Sequence, residues 1–196
     1  MSGESNCTYR VYEGDYSALR SLYNSAGGEN WTWRDHKYYG LHWNFTNSSS
    51  YFDRSDPCKH HWQGLYCLPT CCIDCRIFDI QLSDYNLQGY IPEAINELQF
   101  VYYISLDNNN LTHKIPPLGN LSLLHFMNVS YNSLTGPIPA TINVDSMPLL
   151  NLLYLSHNKL VSLKSIVRKP VNHSSTYLYL YLIPDWHNTR GSVSIR

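Results

Sequence analysis

A motif of apolar residues recurs four times in the central part of this 196-residue chain. The copies are IFDIQLSDYNLQGYIP from Ile77, VYYISLDNNNLTHKIP from Val101, LHFMNVSYNSLTGPIP from Leu124 and LNLLYLSHNKLVSL from Leu150. All fit L-x-x-L-x-L-x-x-N-x-L, and the ninth positions, Tyr85, Asn109, Asn132 and Asn158, follow at intervals of 24, 23 and 26 residues. This period predicts a solenoid whose repeats bury their apolar faces against one another.

The start of each copy predicts a short strand. Side chains alternate along a strand, so residues between the motif leucines face outward on the predicted sheet. The predicted ligand-facing positions are Asp79, Gln81, Tyr103, Ser105, Phe126, Asn128, Leu152 and Tyr154. Tyr103, Phe126 and Leu152 form an apolar stripe of the sort that marks an interaction site. An equally weighted interpretation is that tyrosine, with 17 copies in the chain, simply suits strands.

The ninth position follows the strand, where the chain turns away from the sheet. An inward asparagine carboxamide there can bond to backbone N–H and C=O groups that the turn leaves unpaired. The sequence therefore predicts an asparagine ladder of Asn109, Asn132 and Asn158, with Tyr85 replacing its first member.

The segments LQGYIP, LTHKIP and LTGPIP resemble the L-x-G-x-I-P half of the plant-type leucine-rich repeat, which also occurs in protist surface proteins. The resemblance covers residues 77 to about 163. It implies an α/β solenoid: a right-handed coil with a parallel β-sheet on its concave face and a helical N-terminal cap. His113 departs from the pattern where glycine is usual, and the fourth copy has LVSL in place of L-x-G-x-I-P.

Residues 1–75 are predicted to form an N-terminal cap region. DYSALRSLYNSAGG predicts a helix at about residues 15–26, with Asp15 accepting the first amides and Gly27 ending it. The cysteine-rich part, 58–75, begins in DPCKHHWQGLYC, which is similar to the N-terminal cap of such proteins and implies a Cys58–Cys67 disulfide. Residues 76–166 hold the four repeats, and residues 167–196 are an irregular C-terminal strand region, open or incomplete.

Six cysteines favour an oxidising compartment. Cys7, Cys71, Cys72 and Cys75 remain unassigned, although one of Cys71 and Cys72 is expected to reach Cys7, since sequence neighbours rarely bond. Zinc is the open alternative, but only Cys72 and Cys75 have the spacing of a ligand pair.

The chain has eight N-glycosylation sequons, an excess over the roughly 3 that composition alone predicts. The acceptors are Asn6, Asn30, Asn44, Asn47, Asn110, Asn120, Asn128 and Asn172. Glycans are expected on most of them, with no other cofactor and no metal. Asn128 lies in a ligand-facing column, whereas Asn132 belongs to the ladder.

The remaining features narrow the function. A net charge of −1 argues against nucleic acid, and no apolar run is long enough to span a membrane. No catalytic motif is present, which predicts a protein that is not an enzyme. The polar start lacks the apolar segment of a secretory signal, so we expect an incomplete or processed N-terminus.

The sequence thus predicts an extracellular or cell-surface module that recognises a protein or carbohydrate ligand. The alternative is a structural subunit of an extracellular coat or filament. In that case residues 176–196 would contact a neighbouring copy through an assembly edge at Leu178, Leu180 and Leu182.

Overall fold

The computed structural model describes residues 10–45, 55–69, 74–143, 145–161 and 179–181, with Pro69 and residues 179–181 described by their backbone alone. Two helices, α1 (Glu13–Ser25) and α2 (His36–Tyr39), precede the strands. Single 3-10 turns cover Gly28–Asn30 and Glu93–Glu97. The strands are β1 (Leu65–Pro69), β2 (Cys75–Gln81), β3 (Gln88–Gly89), β4 (Tyr103–Ser105), β5 (Asn110–Leu111), β6 (Phe126–Asn128), β7 (Thr135–Gly136), β8 (Leu152–Tyr154), β9 (Lys159–Leu160) and β10 (Tyr179–Tyr181).

One long sheet runs through the repeats in the order β1-β2-β4-β6-β8-β10. From β2 onward the neighbours are parallel, and each strand comes from the next copy of the motif. The short strands β3 with β5 and β7 with β9 form two further parallel pairs behind it. The predicted solenoid with a parallel sheet is therefore confirmed. The antiparallel β1 at its N-terminal edge was not predicted.

The core lies between the long sheet and the outer pairs. In register along the sheet, Ile80, Ile104, Met127 and Leu153 form one inward column, and all four are at most 2% exposed. The motif leucines after them, such as Leu82 and Leu106, are completely buried. Each coil thus depends on its neighbours for the burial of its apolar residues.

Helix α1 packs against the first coil. Ala18, Leu19 and Leu22 are buried, and the helix end meets β3 because Gln88 N–H donates to Ala26 O. Gly89 has a φ of +111°, and a Cβ at this position would lie 2.2 Å from Ser25 O. Glycine in L-x-G-x-I-P therefore permits the helix to approach the coil.

The predicted helix N-cap is wrong. The helix begins at Glu13 rather than near Asp15, and the flanking residue Tyr12 makes no side-chain cap. Asp15 is fully buried, and its carboxylate accepts hydrogen bonds from Arg76 Nη2 (2.9 Å), Arg76 Nε (3.1 Å) and Ile77 N–H (2.9 Å). A buried carboxylate requires a cation and hydrogen-bond donors, and both come from β2. The Asp15 carboxylate therefore joins α1 to β2. Gly27, with a φ of +69°, follows the helix end as predicted.

At the other end, a further strand was expected within the segment STYLYLYLIPDW, residues 175–186, and β10 lies there. Its backbone register pairs Tyr179 with Leu152 and Leu180 with Leu153. Leu178 and Leu182 lie outside the described residues, so the assembly edge stays a prediction.

Candidate ligand-binding surface

The solvent side of the long sheet, here called the sheet face, carries the predicted ligand-facing residues. The strand register aligns Asp79, Tyr103, Phe126 and Leu152 in one column, and Gln81, Ser105, Asn128 and Tyr154 in the next. Gln81 is exposed, and the others apart from Ser105 are half-buried. Parallel pairing brings together residues that are about 24 positions apart in sequence.

Aromatic stacking explains why the stripe is half-buried. The Tyr103 and Phe126 rings lie 4.2 Å apart between centroids with an interplanar angle of 2°, and Phe126 contacts Tyr154 at 5.5 Å. These rings cover part of one another while leaving their edges in solvent. Such pairs stabilise neighbouring strands and fix the orientation of each ring.

A second aromatic stack was missed by the sequence reasoning. It consists of Phe78, Tyr102 and His125, with centroid separations of 5.1 and 4.9 Å and interplanar angles of 8° and 14°. Each residue directly precedes a first-column residue, a position assigned to neither face. The backbone bonds Tyr102 N–H to Phe78 O and His125 N–H to Tyr102 O hold them in line. The two stacks together are called the aromatic patch: Phe78, Tyr102, Tyr103, His125, Phe126 and Tyr154.

Asp79 ends the first column next to β1, which adds an unpredicted neighbour, the exposed Tyr66. Its Oδ1 is buried without a hydrogen-bond partner in the described residues, and its Oδ2 accepts only a long bond, 3.5 Å, from Gln81 Nε2. Burial raises the pKa of the Asp79 carboxyl above its ordinary value, although the Gln81 bond opposes this. The acidic end of the patch is thus poorly solvated.

Ser105 is not available to a ligand, which corrects its place among the ligand-facing residues. It is 5% exposed, and its hydroxyl donates to Asp107 Oδ1 at 2.6 Å. Ser83 donates to the same oxygen at 2.6 Å. The short Ser105 side chain is therefore covered by its neighbours, and its hydroxyl is already bonded within the protein.

The ladder asparagines make the bonds expected of them. Asn109 accepts from Tyr85 N–H and Leu87 N–H and donates to carbonyls of its own and the preceding coil. Asn132 accepts from Leu111 N–H, and Asn158 accepts from Leu134 N–H. These bonds join consecutive coils and hold the sheet face rigid.

Tyr85, which replaces the first ladder asparagine, joins the repeats to an aromatic cluster in the N-terminal region. Its ring meets Trp33 edge-on at 6.0 Å and Arg34 at 4.9 Å, and its hydroxyl donates to the buried Gln63 at 3.4 Å. Burial raises the pKa of the Tyr85 phenol. The cluster consists of Tyr16, Tyr23, Trp31, Trp33, Trp43, Phe45 and Trp62. Sequence reasoning missed it, although four of the five tryptophans fall between residues 31 and 62.

The structure contains the Cys58–Cys67 disulfide, which spans nine residues. These two thiols are therefore not zinc ligands. Cys75 is a buried free thiol whose pKa is raised, first by burial and then by nearby carboxylates. Cys7, Cys71 and Cys72 lie outside the described residues. Within the described parts of the chain, no cluster of three metal-binding side chains is present.

The sequon asparagines within the described residues differ in surroundings. Asn30, Asn44, Asn110 and Asn120 are exposed. Asn128 is half-buried on the sheet face, and its Oδ1 accepts from Ser130 N–H at 3.0 Å. Asn6, Asn47 and Asn172 lie outside the described residues. No described helix is long and apolar enough to cross a membrane.

Comparison with known proteins gives the class. No protein-family model matches the chain. Among curated proteins of Arabidopsis thaliana, the probable LRR receptor-like serine/threonine-protein kinase IRK is 38% identical over 71 residues, 36% of this chain. The leucine-rich repeat receptor-like protein kinase PXC2 is 35% identical over 81 residues, 39% of this chain. The matched stretch is only 7% of the length of each relative.

Solved structures match over more of the chain. One chain of the BIR3–SERK2 complex from Arabidopsis thaliana is 32% identical with a TM-score of 0.56, and the match covers 74% of this chain and 70% of that one. The LRR ectodomain of the receptor kinase SOBIR1 from the same plant has a TM-score of 0.56 at 21% identity, covering 78% and 71%, which supports the fold alone. The chain therefore belongs to the leucine-rich-repeat proteins. Within that class, its relatives are plant receptor-type proteins.

Proposed function

We propose that this chain is a non-catalytic, extracellular recognition module whose aromatic patch binds a protein or peptide ligand. The observation that carries the proposal is the pair of aromatic stacks on the sheet face. Partly exposed aromatic groups held in fixed orientations provide contact area at little entropic cost, and aromatic residues dominate protein interfaces.

The relatives support this proposal at a coarser level. The BIR3–SERK2 structure is a complex between two proteins, and the SOBIR1 structure is of a receptor ectodomain. A likeness of this kind favours an extracellular module that binds protein. The similarity to kinases concerns a short stretch, which brings no kinase activity to this chain.

Peptide selection on the glycosylated, secreted chain tests the proposal. Peptides selected on the wild-type chain are expected to bind at least tenfold more weakly to Phe126→Ala, because its ring contacts both Tyr103 and Tyr154. The matched control is Tyr38→Ala, which removes a ring that is 73% exposed on α2. Equal binding to both variants and the wild type would reject the aromatic patch as the ligand site.

Glycan occupancy at Asn128 discriminates between this proposal and a structural subunit. A glycan there would lie next to Phe126 and Tyr154 on the sheet face and obstruct a broad protein ligand. Unmodified Asn128 in peptide maps of the secreted chain favours recognition, and full occupancy favours the structural role. Among the described residues, the other sequon asparagines that we propose to carry glycans lie outside the aromatic patch.

A further inference from the structure

A polar groove of about 440 Å³ lies beside the sheet, along the turns that follow the strands. Its lining residues are Thr32, Asp84, Asn86, Asn108, Asn109, Asn110 and Tyr131. They come from three consecutive coils and from the segment after α1. None belongs to the aromatic patch.

The floor of the groove is rigid because its turns are bonded to one another. Asp84 N–H donates to Asp107 O, Asn108 N–H to Ser130 O, and Tyr131 N–H to Ser156 O. Thr32 N–H donates to Tyr85 O and fixes the end of the groove. A ligand would meet a preformed surface.

The groove offers hydrogen-bonding groups that the protein does not use itself. Within the described residues, neither the Asp84 carboxylate nor the Asn110 amide makes a side-chain hydrogen bond. Asn108 Nδ2 donates to Asp107 Oδ2 at 2.9 Å, which leaves its amide oxygen available. Asn109 and Asn86 are committed elsewhere, to the ladder and to Asn30 O.

The aromatic group of the groove is Tyr131, which is 52% exposed. Its ring stacks on His157 at 4.0 Å with an interplanar angle of 9°, so one face is covered and its orientation is fixed. Its backbone has a φ of +54°, as does that of Asn108 in the same turn position of the preceding coil. Such a backbone favours asparagine, so the turn itself gives no reason for a tyrosine.

From this geometry we propose that the groove binds a neutral carbohydrate. Sugar hydroxyls both donate and accept, which matches carboxylate and amide groups, and the C–H face of a pyranose ring packs against an aromatic ring. The groove has one carboxylate and no cationic lining residue, which disfavours anionic sugars. Tyr131 is the only large apolar side chain among its lining residues, which disfavours a peptide that binds through apolar side chains.

The carbohydrate has two potential sources. Asn110 is a sequon asparagine and lines the groove itself, so the first sugars of its own glycan are close enough to occupy it. The other source is a free saccharide. The shared chemistry is a neutral pyranose against Tyr131, and the two sources exclude each other.

The test uses NMR titration of the secreted 196-residue chain carrying Asn110→Gln, which removes the sequon and keeps an amide. Chitobiose and cellobiose are expected to shift the Tyr131 ring resonances and the backbone amide resonances of Asp84 and Asn108 saturably, with Kd on the order of millimolar, whereas trigalacturonate has no effect. The two amides report binding in variants that lack the Tyr131 ring. Adding Tyr131→Asn, which suits the left-handed backbone, is expected to weaken binding about fivefold. Tyr38→Asn is the matched control.

A second arm identifies the source. In the chain glycosylated at Asn110, nuclear Overhauser contacts between the first sugar and the Tyr131 ring, with loss of chitobiose binding, assign the groove to its own glycan. Unchanged chitobiose binding without such contacts assigns it to a free saccharide. No saturable shift with either disaccharide and no sugar contact in the glycosylated chain would overturn the proposal. So would tighter binding of trigalacturonate, or binding that Tyr131→Asn leaves unchanged.

Discussion

The asparagine ladder permits a quantitative prediction, because its members differ in how many backbone groups have no hydrogen-bond partner other than the asparagine. Asn109 is the partner of two backbone N–H groups, those of Tyr85 and Leu87, at 3.2 and 2.9 Å. It also donates to Leu82 O at 2.8 Å. No other donor or acceptor within the described residues serves these three groups. The Asn109→Ala variant therefore leaves three backbone groups unpaired.

Asn132→Ala is the matched comparison one coil further along. It leaves only the Leu111 N–H without a partner. The three carbonyls that Asn132 contacts keep second donors: Leu106 O keeps Asn109, Val129 O keeps Asn158, and Ser130 O keeps the Asn108 N–H.

An orphaned backbone group costs about 1 kcal/mol at the lower end of the usual range. We therefore expect Asn109→Ala to lower the free energy of unfolding by about 3 kcal/mol and Asn132→Ala by about 1 kcal/mol. Urea unfolding followed by fluorescence of the buried tryptophans measures both, provided that the m-values agree. Equal losses for the two variants, or a larger loss for Asn132→Ala, would refute the counting of orphaned groups.

Three further predictions concern the N-terminal half. Asp15→Asn is expected to cost about 3 kcal/mol of stability, because it breaks a buried ion pair, whereas Ser17→Ala at an exposed position of the same helix should change stability by less than about 0.5 kcal/mol; thermal unfolding of both checks this, and equal effects would contradict it. Because the folded-state pKa of Asp79 is raised, its contribution to folding stability is fully present below the unfolded-state pKa and is lost as pH rises through the folded-state pKa. Asp79→Asn should therefore be more stable than the wild type at pH 7, with the gain shrinking toward pH 3, and a constant gap would count against burial as the cause. Replacing Cys58 and Cys67 by alanine should cost ~2–3 kcal/mol for so short a loop; unchanged urea midpoints would show that the bond contributes nothing.

The sequence was sufficient for the repeats because a solenoid repeats its local rule in every coil. Once the motif leucines are aligned, strand register follows, and with it the columns that place Tyr103 beside Phe126. The same alignment predicts Asn109 and Asn132 in equivalent turns, where the structure has them. The local period therefore predicts long-range contacts.

The N-terminal region has no such period, and there the sequence predicted the helix and the Cys58–Cys67 disulfide but not the tertiary contacts around them. Asp15 fits the pattern of a helix cap, but its actual partner, Arg76, is 61 residues away. The antiparallel strand β1 and the aromatic cluster also depend on contacts that no repeat predicts. Such tertiary partners override local propensity.

The sequence predicted which residues lie on the sheet face, but not how exposed each of them is. Alternation correctly gives the direction of Ser105, yet its burial depends on the size of its neighbours and on the acceptor Asp107. The second stack was missed because its residues occupy the two-residue interval between motif leucines, where strict alternation does not hold. Phe78 and Asp79 both fall in the interval between the buried Ile77 and Ile80.

The aromatic patch and the polar groove are built from the same repeats, but the backbone constrains their residues differently. In the turn column, Asp84, Asn108, Tyr131 and His157 have φ values of +63°, +54°, +54° and +54°. Asp, Asn and His are the non-glycine residues that tolerate this backbone best, so three of the four have a conformational reason that needs no ligand. Tyr131 is the exception, and for that reason its replacement tests the groove more sharply than removal of any asparagine. On the sheet face, by contrast, extended backbone accepts every side chain found there. A substitution at any position of the aromatic patch therefore tests the proposed ligand site, whereas in the groove the informative residue is a single ring.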